Sequence, residues 1–191
     1  MNKLYVIGIG PGEYEQMTLK AIHAMEKSEV IIGYTVYVDL VKEHFPGKEF
    51  MTTPMKKEVD RCVMAFEEAK KGKVVSMICS GDAGVYGMSG LMYEVGVNYP
   101  EVELEIIPGV TAATGGAALL GAPLIHDFCL ISLSDLLTPW EKIEARLLAA
   151  AQADFVVCLY NPSSKKRSDY LQKACDLMMQ YKSPETVCGI V

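Results

Sequence analysis

Short apolar runs rich in valine and isoleucine recur along this chain, separated by longer stretches in which apolar residues return every three or four positions. The short runs predict strands over residues 4–9, 30–32, 74–79, 102–107, 128–133, 155–159 and 186–191. The periodic stretches predict helices over 17–27, 35–44, 57–71, 89–98, 112–120, 140–151 and 165–181. Strand and helix alternate almost throughout, which implies βαβ units and a mainly parallel sheet. Start signals accompany several helices: Gln16 or Thr18 before the first, Ser163 or Ser164 before the last. For the helix through Trp140, Thr138 is the expected N-cap and Pro139 the first helical residue, a position where the missing proline N–H is not needed. The helix over 112–120 carries Thr114-Gly115-Gly116-Ala117-Ala118. Each glycine weakens a helix by about 1 kcal/mol relative to alanine, so these imply close packing against a backbone or a ligand. A domain boundary is expected between residues 108 and 127, giving α/β domains over 1–112 and 113–191. The run Val187-Cys188-Gly189-Ile190-Val191 reads as a strand without cap or turn after it, so the second domain is expected to be cut short.

The strand at 74–79 leads straight into Ser80-Gly81-Asp82-Ala83-Gly84-Val85-Tyr86-Gly87, where glycines surround one carboxylate and one tyrosine. In open α/β sheets ligands bind beyond the carboxyl ends of the strands, and glycine there lets backbone groups approach them. A tight turn using glycine for positive φ gives the same pattern. A second glycine-rich turn, Gly8-Ile9-Gly10-Pro11-Gly12, follows the first strand. It departs from the dinucleotide fingerprint, because Pro11 interrupts it, the third glycine comes one position early, and Val30-Ile31-Ile32-Gly33-Tyr34 offers no ribose-binding acid. No G-K-[ST] phosphate loop occurs. Further clusters fall at predicted strand ends: Pro108-Gly109-Val110-Thr111-Ala112-Ala113, Ser132-Leu133-Ser134-Asp135-Leu136-Leu137-Thr138-Pro139-Trp140 and Leu159-Tyr160-Asn161-Pro162.

Composition narrows the classes. The chain has 191 residues, 50% apolar and 22% charged, which suits one or two packed domains. A net charge of −6 argues against a general nucleic-acid binder, whose affinity rests on neutralising phosphate. No apolar run approaches a membrane span of about 20 residues, and the start lacks a signal-peptide cleavage region, so a cytoplasmic protein is expected. Cys79, Cys129, Cys158 and Cys188 lie in strand-like runs and are expected to be inert thiols; with no C-x-x-C pair and three histidines, no metal site is expected.

Taken together, the motifs resemble those of the tetrapyrrole methylases. Gly8 to Gly12, Ser80 to Gly87 and Pro108 to Ala113 match patterns broad in that family, while Ile131 to Trp140 and Leu159 to Pro162 match the branch acting at carbon 17 of precorrin-3B or its cobalt form. The resemblance covers the whole chain in unbroken order. It implies a two-domain fold with a mainly parallel first sheet and a mixed second one. It implies an enzyme of cobalamin biosynthesis, with methylation coupled to ring contraction, S-adenosyl-L-methionine as cofactor and a homodimer as assembly. Carried over by motif, Pro11, Gly81, Asp82, Val85, Thr111, Ala112, Asn161 and Gly189 line the cofactor site. Ring contraction needs proton handling, for which His126, Ser132 and Asp135 are candidates, with Asp82 more suited to fixing its loop or holding cofactor. Equally, His126 serves as a capping or core histidine, and Ser132 and Asp135 cap a helix. Lys165-Lys166-Arg167 either meets the acid groups of the substrate or forms a solvated face. The alternatives are a methylase for another tetrapyrrole carbon and a non-catalytic tetrapyrrole-binding module.

Overall fold

Strands buried on both faces carry nearly continuous apolar sequence, and the centre of this sheet shows why. In the computed structural model, which describes residues 2–191, β4 (Val75–Cys79) is buried at every position. It lies between β2 (Val30–Tyr34) and β1 (Asn2–Gly8), and the full order adds β3 (Glu49–Thr53) and β5 (Val102–Ile107) as β3-β2-β4-β1-β5. Every pairing in it is parallel, with Leu4 opposite both Val75 and Leu104. Side chains alternate between faces. Leu4, Val6, Val30, Ile32 and Met77 pack with Phe66 of α3 (Glu58–Lys70) and Met92 of α4 (Ser89–Gly96). Ile7, Ile31 and Ile78 pack on the other face with Ala21 and Met25 of α1 (Leu19–Lys27) and Val38 of α2 (Thr35–Val41). Thr18 caps α1, its hydroxyl accepting from the Ala21 N–H at 3.1 Å. β3 is absent from the sequence reading: an edge strand with the sequence EFMTT has no apolar run to reveal it.

The chain divides into two compact units, Met1–Gly115 and Gly116–Val191, the division falling within α5 (Ala112–Leu119). In the second unit β6 (Phe128–Ser132) and β7 (Val156–Tyr160) pair in parallel, with Ser132 opposite Tyr160. They pack on α6 (Trp140–Gln152) and α7 (Tyr170–Met178) through Ile131, Leu133, Ile143, Leu147 and Ala174.

This unit departs from expectation in four places. Its ladder among the described residues is parallel rather than mixed. Residues 186–191 form no strand: they are exposed, and no ladder partner reaches their backbone, which β-branched content alone cannot supply. Cys188 is accordingly exposed rather than buried in a strand. Helix α6 starts after Pro139, whose extended φ/ψ of −59°/147° makes it the N-cap in place of Thr138, its carbonyl accepting from Lys142 and Ile143. Helix α7 starts at Tyr170, because residues 165–167 are held in a turn closed by the Arg167 N–H donating to the Ser164 carbonyl at 3.0 Å. Among the described residues no helix is long and apolar enough to cross a membrane.

Candidate active site

Because β4, β1 and β5 are adjacent and parallel, their carboxyl ends deliver three loops to one edge of the first sheet. The loops interlock through their backbones. Gly10 and Gly81 form an antiparallel bridge, Gly10 N–H donating to the Gly81 carbonyl at 3.0 Å and Gly81 N–H to the Gly10 carbonyl at 2.8 Å. Both lie in the left-handed region, φ +66° and +65°, where a side chain is strained. Beneath them Gly8 and Gly109 meet the same turn: a Cβ on Gly109 would stand 2.2 Å from the Gly81 carbonyl oxygen.

Asp82 ties the loops together. Its Oδ1 accepts from the Gly84 and Val85 N–H groups at 2.7 and 3.1 Å, and its Oδ2 accepts from the Gly109 N–H at 3.0 Å. A carboxylate committed to three backbone donors serves as a brace for the edge rather than as a base. Pro11, Gly81, Asp82, Val85, Thr111 and Ala112 therefore all stand on or next to the three interlocked loops. A Cβ on Gly81 would stand 3.8 Å from the backbones of Thr111 and Ala112, in ordinary van der Waals contact, so it is the left-handed φ rather than a clash that calls for glycine here.

In the second unit the carboxyl ends of β6 and β7 build a polar network. The Leu133 N–H donates to the Tyr160 carbonyl at 2.9 Å, continuing the ladder one step beyond β6. Ser132 Oγ then accepts from the Ser134 N–H at 3.2 Å and from Asn161 Nδ2 at 3.0 Å. With both lone pairs engaged, its own proton is available for donation. Asn161 sits at φ +52°, a conformation asparagine tolerates better than most residues. Arg167 locks the arrangement: Nη1 donates to the carbonyls of Leu133 and Asn161 at 3.0 and 3.3 Å, and Nε lies 3.7 Å from Asp135 Oδ1. Asp135 Oδ2 accepts from the Tyr170 hydroxyl at 2.7 Å, and that bond raises the Tyr170 phenol above its ordinary range.

Ser132, Asp135 and Asn161 are thus brought together by the fold. His126 is not: it precedes β6, whereas Ser132 ends it, and a five-residue strand at ~3.3 Å per residue sets the two roughly 15 Å apart. Gly189 lies in the strandless segment, where a Cβ would meet Leu120 Cδ1 at 2.5 Å. Of the basic run, Arg167 turns inward and Lys165 and Lys166 are exposed. Burial pushes the Cys62 and Cys79 thiols up to about 12 and about 11, so both stay protonated near neutrality. Sequence reasoning missed the Arg167 lock, for which the only local signal is an arginine just past the Asn161-Pro162 turn.

The family model of the Tetrapyrrole (Corrin/Porphyrin) Methylases matches residues 3–191. The chain belongs to the tetrapyrrole methylases. This tetrapyrrole methylase is 51% identical over 189 residues to a probable cobalt-factor III C(17)-methyltransferase of Salmonella typhimurium, covering 98% of the chain and 78% of that relative. It is 50% identical over 195 residues to a cobalt-factor III methyltransferase of Priestia megaterium, covering all of the chain and 36% of that longer protein. Among solved structures, the crystal structure of the methyltransferase CobJ superposes with a TM-score of 0.87 at 36% identity, covering 96% of this chain and 78% of that one.

Proposed function

We propose that this tetrapyrrole methylase transfers a methyl group from S-adenosyl-L-methionine to carbon 17 of a cobalt-bearing corrinoid precursor, cobalt-factor III, with contraction of the ring, in cobalamin biosynthesis. The observation that carries the reading is the 51% identity, over 98% of the chain, to a relative named for that reaction. The loop edge supports the choice of cofactor. Its segments 8–12, 80–87 and 108–112 contain no lysine, arginine or histidine, which fits a ligand without phosphate. Pro11, Gly81, Asp82, Val85, Thr111 and Ala112 would hold it; Asn161 and Gly189 are assigned to the cofactor by the resemblance alone. When bound, this cofactor supplies a methyl group on a sulfonium, whose departure as a neutral thioether needs no acid.

The protein's task is therefore alignment of the reacting centres. Asp82 fixes the loops that would set the cofactor's position. Ser132 holds a proton at Oγ that the bonds from Ser134 and Asn161 leave free to donate, which suits the proton handling of ring contraction. Asp135 acts through Tyr170 and Arg167 as a positioning group. From the same resemblance we infer a homodimer in the cytoplasm, with a net charge of −6 that disfavours nucleic acid as a partner. Light scattering should then give twice the 20.9 kDa of the chain.

Incubation with methyl-labelled S-adenosylmethionine and cobalt-factor III tests the function. A product one labelled methyl heavier, with the label at carbon 17 by NMR, is expected. A label at another carbon would assign a different methylase, and tetrapyrrole binding without any response to S-adenosylhomocysteine would leave a non-catalytic module.

A further inference from the structure

Burying a charge without a counter-charge is among the costliest arrangements a fold can hold. The first unit shows how it is normally avoided: Glu68, 7% exposed, is met by Lys71 at 2.5 Å and Lys73 at 2.8 Å. Arg61, 5% exposed in the first turn of α3, is treated differently. Its Nε donates to Thr53 Oγ1 at 2.8 Å and its Nη2 to the Pro54 carbonyl at 3.3 Å, both neutral acceptors. No carboxylate among the described residues forms an ion pair with it. Nη1 has no partner among the described residues, and no fully buried side-chain nitrogen there lacks one. Nη1 is therefore the part of the group that reaches the surface.

Its place in the fold is specific. Thr53 ends β3 and Tyr34 ends β2, so Arg61 lies at the same carboxyl edge as the glycine loops, over the ends of the two strands beyond β4. The guanidinium stands 6.0 Å over the Tyr34 ring, and Tyr34 meets Tyr37 edge to face at 5.4 Å and 85°. A fixed, largely buried fork with one nitrogen unpaired among the described residues, beside two aromatic rings, matches a carboxylate carried on a flat apolar body.

We propose that Arg61 anchors a carboxylate of a bound ligand at this corner. Its position beside the glycine loops rather than among them favours an acid side chain of the tetrapyrrole over the amino-acid end of the cofactor. The inference rests on the proposed function for the identity of that tetrapyrrole.

Cobalt-factor III, the same compound with its side-chain acids converted to amides, and S-adenosylhomocysteine are titrated against the full chain, Arg61→Met and Arg61→Lys. Arg61→Met should bind the acid form at least tenfold more weakly and the amide form as wild type does, with S-adenosylhomocysteine affinity within twofold. Arg61→Lys, keeping the charge without the fork, should fall between. Loss confined to S-adenosylhomocysteine keeps the carboxylate anchor but assigns it to the cofactor. Unchanged binding of all three ligands overturns the proposal, as does equal loss for acid and amide. If Arg61→Met does not fold, Arg61→Lys decides by the same comparison. A wild-type protein that binds S-adenosylhomocysteine but no tetrapyrrole would sink the functional reading, and this inference with it.

Discussion

Asp82 illustrates how one residue type can be forced by its surroundings. Three backbone N–H groups from two loops converge on its two oxygens, and only an ionised carboxylate offers acceptors on both sides. In Asp82→Asn the amide nitrogen would face either Gly109 or the Gly84–Val85 pair, donor against donor. Loss of about 1.5–3 kcal/mol is expected from urea unfolding, the range for bonds to a charged group. Calorimetry should show S-adenosylhomocysteine binding weakened at least tenfold, because the loops lose their common brace. Unaltered stability would mean that the loops hold without it. The glycine turns around Asp82 are legible in the sequence, since their punctuation is local. The bond to Gly109 is not, because it joins positions 27 residues apart. Arg61 is equally hidden: an arginine in an amphipathic helix reads as part of a solvated face until the strand it covers is known.

Elements are legible to the extent that they are locally determined. β2 and β4 announce themselves because burial on both faces favours a nearly continuous apolar sequence, broken in β4 only by Ser76, while β3 escapes because only pairing to β2 makes it a strand. Residues 186–191 err the other way, having strand composition and no partner. The start of α7 is displaced by Arg167, whose bonds to Leu133 and Asn161 are tertiary. Arg167→Ala should therefore cost about 2 kcal/mol in thermal or urea unfolding, and Arg167→Lys should recover less than half, since an ammonium cannot fork across two carbonyls and Asp135. A full recovery by lysine would show that charge alone matters. The β1–β5 pair carries a pH signature. Hydrogen bonds from Lys20 and Lys3 hold the Glu105 carboxyl down to about 2. Its folded value lies below the unfolded value near 4.3, so the stabilisation is present above about pH 4.3 and is lost as pH falls towards 2. Glu105→Gln should flatten that part of the acid-unfolding curve by about 1 kcal/mol or less, given its partial exposure. An identical curve would show the bridges contribute nothing.

At the scale of the molecule, the two units carry unequal sheets. β4 and β1 each have a neighbour on both sides, whereas β6 and β7 have one neighbour each among the described residues. Two-stranded ladders are marginal without other support, and local opening follows such differences. Hydrogen exchange should accordingly be slowest over Val75–Cys79 and Asn2–Gly8 and measurably faster over Phe128–Ser132 and Val156–Tyr160. Uniform protection across all four strands would contradict this. The Gly10–Gly81 bridge has a different kind of consequence, for sequence length. Surface loops ordinarily absorb insertions with little penalty. Here one extra residue between Gly8 and Gly10, or between Cys79 and Gly81, would slide one turn past the other and break both bridging bonds at once. These two turns are thus locked in length by each other, and an insertion scan of the chain should find its least tolerant positions there, at the rim of the sheet rather than in its core.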